Sequence, residues 1–192
     1  MRNFHLKKSL NFSLDLWTEI FKEDYQIDSA HINRIKGYAL AREALLELLK
    51  DQNIHLGPKD LKLRHYHSLL NVDHYTLSLG HTSLMGAAFL ISKEKYRSVG
   101  IDLERNNRIV KDAIYNKMKH PQDEIIHPLQ LWTLKEACFK ALMNTEKFEK
   151  NIEFNSIQIL ANQTWLHSSG ESGGWESFSE DDHMISLAWI KA

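Results

Sequence analysis

Between Ser29 and Lys50 apolar residues recur at Ile32, Ile35, Ala39, Leu40, Leu45, Leu46, Leu48 and Leu49, with no proline among them. That spacing predicts one amphipathic helix ending near Asp51-Gln52-Asn53. A second helix is predicted over Gln130 to Met143, where Leu131, Leu134, Cys138 and Leu142 recur at helical spacing beside Trp132, Phe139 and Met143. Between the helices the period shortens to two. Tyr75 to Leu79 alternates, Met85 to Ser92 is a short apolar run and Ser98 to Leu103 follows, each bounded by turn residues, which predicts a small antiparallel sheet. Further strands are predicted over Ile152 to Leu160, Thr164 to Leu166, Trp175 to Phe178 and Met184 to Ile190, with a turn at Ser168 to Gly174. Asn53 to Asn71 is polar, holds Gly57-Pro58 and the basic cluster Lys59, Lys62, Arg64, His65 and His67, and is expected to be a loop.

Helix followed by strands occurs twice, and a faint internal repeat accompanies it. Ala41 to Glu47 can be laid over Leu134 to Lys140 at an offset of 93 residues, matching basic, acidic, alanine and apolar positions. Leu77-Ser78-Leu79 resembles Ile185-Ser186-Leu187, at an offset of 108 rather than 93. Chance alone could give so faint a repeat; if it is a duplication, the expected fold class is α+β, with two pseudo-symmetric halves, each a long helix on a small, mainly antiparallel sheet, and the crevice between them as the default ligand site.

Composition narrows the function classes. The chain has 192 residues, a formal net charge of −1, 43% hydrophobic residues, 8 glycines and 3 prolines, the profile of a globular protein with dense regular structure. Near-zero net charge gives no broad basic field for nucleic acid or an anionic membrane, so no nucleic-acid and no membrane partner is expected. The apolar run Gly86 to Ile91 is far too short to cross a bilayer. One cysteine, Cys138, and a start without a long apolar stretch suggest a cytoplasmic protein.

Three segments carry candidate chemistry. In Gly100-Ile101-Asp102-Leu103-Glu104 the strand period puts both carboxylates on one face, the arrangement that offers hard oxygen ligands to Mg²⁺, though a solvated edge strand looks the same. In Trp132 to Lys140, Glu136 and Lys140 stand one helical turn apart, either as a surface ion pair or as a third carboxylate with a lysine suited to a bound polyphosphate. In Ser78-Leu79-Gly80-His81-Thr82-Ser83 a strand runs into a turn where His81 and its hydroxyl neighbours can donate to a phosphate. The histidines form no HExxH pattern, so zinc is set aside, and Cys138 falls on the apolar stripe of its helix as a core residue.

Val99 to Glu104 followed by Trp132 to Lys140 resembles the two signatures of the 4′-phosphopantetheinyl transferase family. Leu77 to Thr82 resembles that family's upstream serine-histidine motif, and Gly37 to Arg42 its earlier helix with a glycine and an arginine, so the likeness runs from about Ser29 to Met143. The mid-chain aspartate motif is similar to the two-half, surfactin-synthetase-type members. The resemblance implies a monomeric pseudodimer in which residues 1–95 bind the adenine and 3′-phosphate of coenzyme A and residues 96–192 bind Mg²⁺ and the pyrophosphate. It implies transfer of phosphopantetheine from coenzyme A to a serine of an apo carrier protein (acyl, peptidyl or aryl).

Carried over by motif, Asp102, Glu104 and Glu136 are the expected Mg²⁺ ligands, Glu136 and Lys140 the catalytic pair, and Lys135 a helper at the pyrophosphate. Ser78, His81 and Thr82 fall at the 3′-phosphate. The family's Gly-Lys-Pro-like segment is replaced here by Leu63-Arg64-His65-Tyr66-His67. Lys62 or Arg64 is the expected substitute for its lysine, and Arg34 or Lys36 for the early-helix arginine. The alternatives are a non-transferring relative that binds coenzyme A or a carrier protein, and a Mg²⁺-dependent hydrolase of coenzyme A's pyrophosphate.

Overall fold

A computed structural model describes residues 3–25, 32–64, 68–69, 72–145 and 152–192. Among them the architecture is α+β, with antiparallel sheets throughout the pairings described. Strand β1 (Phe4–Lys7) and helix α1 (Leu14–Tyr25) lead into helix α2 (Ile32–Asp51). A turn of 3₁₀ helix at Pro58–Asp60 precedes the short hairpin of β2 (Leu63–Arg64) and β3 (Ser68–Leu69). Strands β4 (Tyr75–His81), β5 (Gly86–Ser92) and β6 (Tyr96–Arg105) come next, then α3 (Asp112–Met118) and α4 (Pro128–Met143). A 3₁₀ turn at Phe154–Ser156 and strands β7 (Ile157–Ile159), β8 (Thr164–His167), β9 (Ser172–Glu180) and β10 (His183–Lys191) end the chain.

Two sheets organise these elements. One has the order β1-β5-β4 and packs on α2; the other has the order β6-β10-β9-β8-β7 and packs on α4. The turn between β5 and β6 divides them, close to residue 95. Helix α2 buries Ala44, Leu45, Leu48 and Leu49 against Leu77, Ala88 and Leu90, the stripe its apolar spacing predicts. Helix α4 buries Leu131, Leu134, Ala137, Cys138, Ala141 and Leu142 against Ile157, Ile159, Trp165, Trp175 and Ala188. Its start is marked by His127, whose ring accepts the Gln130 N–H at 3.3 Å, with Pro128 in the first turn.

Alternation along β6 joins the two layers. Val99, Ile101 and Leu103 point into a core shared with Ala87, Phe89 and Ile91 of β5 and with Ile185 and Leu187 of β10. The intervening residues face α4. Ser98 donates to the Ala141 carbonyl there, and a Cβ on Gly100 would lie 1.9 Å from the Ala137 carbonyl oxygen, so only glycine lets the helix settle onto the strand.

The two sheets are stitched directly where β4 meets β6. Ser78 Oγ accepts the Ile101 N–H at 3.1 Å, and the Asn144 side-chain amide donates to the carbonyls of both Leu77 (3.1 Å) and Val99 (2.8 Å). Each bond satisfies a buried backbone group that would otherwise cost on the order of 1–3 kcal/mol.

The expected helices and most of the expected strands are present, but several expectations need correction: Ser98 to Leu103 lies in the second sheet rather than in one sheet with Tyr75 to Leu79 and Met85 to Ser92, and Ser172 to Gly174 of the expected turn belong to β9. Residues 53–71 are not simply a loop: among the described ones are a 3₁₀ turn and a hairpin. Of the strand expected over Ile152 to Leu160 only Ile157–Ile159 pairs, and Phe154–Ser156 before it is a 3₁₀ turn. Helices α1 and α3 were not anticipated; α1 buries Trp17, Ile20 and Phe21 against Ile35 and Ala39. Among the described residues no helix is long and apolar enough to cross a membrane.

Gly100→Ala is expected to cost roughly 3 kcal/mol, because the added methyl meets helix backbone rather than a movable side chain. Thermal denaturation should show a fall of about 10 °C at this chain length. A variant melting within about 2 °C of the parent contradicts the packing described.

Candidate functional site

Helix α2 and strand β4 form one wall of a cleft of about 340 Å³, and β6 with α4 form the other. Tyr38, Ala41, Arg42, Ser78, Leu79, Gly80 and His81 line the first wall, and Asp102, Glu104, Trp132, Glu136 and Lys140 line the second. The two motif segments, about thirty residues apart in sequence, therefore reach one space. Asp102 and Glu104 arrive there as alternate residues of β6, and Glu136 and Lys140 as residues one turn apart on α4.

Lys140 Nζ lies 2.8 Å from Asp102 Oδ1 and donates to the Ile101 carbonyl at 2.9 Å. Glu104 forms an ion pair with Arg108, whose guanidinium lies over the Trp132 ring, 4.9 Å from its centroid. Asp102 Oδ2 and the Trp132 Nε1–H are buried with no hydrogen-bond partner among the described residues. Burial pushes the Glu136 carboxyl up to about 7; the Asp102 carboxylate adds to the rise, while Lys140 and Arg108 oppose it. Asp102 is raised for the same first reason, against the pull of Lys140.

On the facing wall the His81 ring lies 4.4 Å from the Tyr38 ring, centroid to centroid. It comes so close to α2 that a Cβ on Gly37 would stand 2.5 Å from His81 Nδ1. Burial, then the positive charges of Lys140, Arg42 and Arg34, press its pKa down to about 4. His81 is thus neutral at pH 7, and its ring is hydrogen-bonded to the Thr82 backbone. Arg42 is buried, with its guanidinium 4.7 Å from the Phe21 ring centroid and donating to the Tyr38 carbonyl at 3.4 Å.

Some expected site residues are placed elsewhere. Lys135 does not reach the cleft: it is fully buried on the opposite side of α4, 2.8 Å from Asp123, and donates to the Phe154 and Ile157 carbonyls. Asp123 in turn accepts the His120 and Ile159 N–H groups, each at 2.8 Å, so Lys135 pins the segment before α4 to strand β7. Thr82 is a turn residue rather than part of the cleft wall; its Oγ1 accepts from the Leu84 and Met85 N–H groups and lies 3.1 Å from His183 Nε2. Ser78 lines the cleft, and its hydroxyl oxygen accepts the Ile101 N–H. Arg34 is exposed at the start of α2, near enough for its charge to act on His81, whereas Lys36 and Lys62 do not line the cleft. The Arg64 side chain and all of His65 to His67 lie outside the described residues.

Sequence reasoning held Arg42 and Trp132 within the motif segments without giving either a role in the site, and it missed Tyr38 and Arg108. The signal for Tyr38 and Arg42 was available: Arg34, Tyr38 and Arg42 repeat every four residues, one face of a helix.

The expected gathering of three carboxylates around one ion is not closed. Among the described residues no three histidine, cysteine, aspartate or glutamate side chains stand together as a metal site, and Lys140 and Arg108 serve as counter-charges to Asp102 and Glu104. In chemistry the donors do fit a hard divalent cation, with carboxylate oxygens from two elements and the buried Asp102 Oδ2 lacking a partner. No protein-family model matches the chain, and no curated protein matches its sequence.

The raised Glu136 carboxyl makes a signed prediction. The unfolded chain releases this proton near pH 4.5 and the folded protein near 7, so the stability present below pH 4.5 is lost as pH rises through 7. Ionising Glu136 then costs the fold on the order of 2–3 kcal/mol. Glu136→Gln should melt several degrees above the parent at pH 8 and close to it at pH 5; an equal offset at both pH values contradicts the raised carboxyl.

Proposed function

We propose that this chain transfers the 4′-phosphopantetheine group of coenzyme A to a serine of an apo carrier protein, in a pseudodimeric fold like that of the transferase family its motifs resemble. One observation carries the reading: the acidic residues and the lysine of both motif segments line one cleft, opposite a wall bearing Arg42 and His81. Carboxylates to hold a cation and cations to hold phosphates are what cleavage of a nucleotide diphosphate demands.

Asp102 and Glu104, alternate residues of β6, would hold the divalent ion, which when bound neutralises and polarises the diphosphate, with Glu136 beside them on the cleft wall. Arg42, on the wall beside the His81 ring, binds the anionic nucleotide end of coenzyme A. Lys140, fixed by the Ile101 carbonyl, supplies an ammonium to a diphosphate oxygen. Glu136, on the cleft wall one helical turn from Lys140, accepts the proton of the carrier serine as its oxygen bonds to the phosphorus next to pantetheine. The bond to the nucleotide-side phosphate oxygen breaks, and adenosine 3′,5′-bisphosphate leaves with those electrons. Both walls belong to one chain, so the proposed working unit is a monomer.

The test is to incubate the protein with coenzyme A, MgCl₂ and a panel of apo carrier proteins and read intact masses. A carrier gaining one phosphopantetheine is the expected result, lost by at least about a hundredfold in Asp102→Ala and Glu136→Ala, the range for removing a group that acts in proton transfer or charge stabilisation. Coenzyme A cleaved without carrier would make the protein a hydrolase instead. Binding with no reaction on any carrier would make it a binding module.

A further inference from the structure

Arg108 has no place in the motif segments, yet it pairs directly with Glu104, one of the cleft carboxylates. Its guanidinium lies over the Trp132 indole, itself part of the cleft wall, while the backbone beneath is tied down: the Arg108 N–H donates to the Arg105 carbonyl at 2.9 Å and the Asn106 N–H to the Asp182 carbonyl at 2.8 Å. A fixed backbone, a half-exposed side chain and two alternative anchors, one carboxylate and one ring, allow the charge to move while its root stays put.

A divalent ion on Glu104 and this guanidinium on the same carboxylate exclude each other, since both need the same lone pairs and repel. We infer that Arg108 is the cleft's resident counter-ion: it holds Glu104 until a divalent cation takes that carboxylate, then stays stacked on Trp132 and pairs with a phosphate of the incoming anionic substrate. Lys140 is a poorer candidate for this exchange, because the Ile101 carbonyl holds it in addition to Asp102. The planar fork of arginine matches carboxylate and phosphate equally well, as the exchange requires. This inference rests on the proposed diphosphate-and-metal reading of the cleft and assigns Arg108 a positioning role within it.

The test is titration of the parent, Arg108→Gln and Arg108→Lys with Mn²⁺ alone, followed by paramagnetic resonance of free Mn²⁺, and then with coenzyme A in the presence of Mg²⁺. Removing a half-exposed competing charge should tighten Mn²⁺ binding about twofold to fivefold in Arg108→Gln. Loss of a charged hydrogen bond should weaken coenzyme A binding about tenfold. Arg108→Lys, which keeps the charge but not the fork or the stack, should restore Mn²⁺ affinity toward the parent while leaving coenzyme A binding weak. Unchanged or weaker Mn²⁺ binding in Arg108→Gln, or unchanged coenzyme A binding, overturns the exchange while leaving the cleft reading intact. A parent that binds no Mn²⁺ overturns the cleft reading itself, and an altered circular dichroism spectrum in a half-exposed variant would mark Arg108 as structural instead.

Discussion

The site depends on how closely β4 and β6 are held together. Ser78 takes the Ile101 amide across that junction, and Asn144, at the end of α4, spans the carbonyls of Leu77 and Val99. Few side-chain bonds do this, and each closes a backbone group already removed from water. The consequence is positional. His81, at the end of β4, is brought opposite Asp102 of β6, so a wall rich in nitrogen donors faces a wall rich in carboxylates across one cleft.

Burial then sets the charges of that cleft. It pushes the His81 pKa down to about 4 and the Glu136 pKa up to about 7, each helped by a neighbour of like charge. Separated pKa values in one concave site are a sign of chemistry, since a purely structural cleft gains nothing from an ionisable group kept half-desolvated. The ion pairs Lys140–Asp102 and Arg108–Glu104 balance the charges of two of the three carboxylates, leaving Glu136 as the one without a direct ion-pair partner among those described.

Much of this was legible in the sequence, and the failures have physical causes. Period-two alternation through Asp102 and Glu104, and the one-turn spacing of Glu136 and Lys140, correctly put four polar side chains on two shared faces. The same spacing condemns Lys135: it stands four residues after Leu131 and three before Cys138, on the buried stripe, and a motif likeness drew it into the site against that pattern. The repeat laid over both helices pairs Arg42-Glu43 with Lys135-Glu136, yet the roles invert. Arg42 lines the cleft and buried Glu43 accepts the Trp17 indole N–H at 2.9 Å, whereas Lys135 is buried and Glu136 lines the cleft. A residue-by-residue likeness cannot show which neighbour faces inward; only packing decides that. Arg108 was illegible for another reason: it sits in the turn after β6, where no periodicity fixes side-chain direction. Helix α1 was legible, since Leu14, Trp17, Ile20 and Phe21 carry helical spacing, but it holds no chemistry that would have drawn notice.

The central claim is that one cleft grips a nucleotide diphosphate through its carboxylates, by way of a divalent cation, and through its own cations. Calorimetric titration of coenzyme A into the protein with Mg²⁺ and again with a chelator tests it most directly. The account predicts one site per chain whose affinity falls at least about tenfold without the divalent ion, the loss of more than 1.4 kcal/mol of binding. Equal affinity under both conditions, or no binding under either, would contradict it.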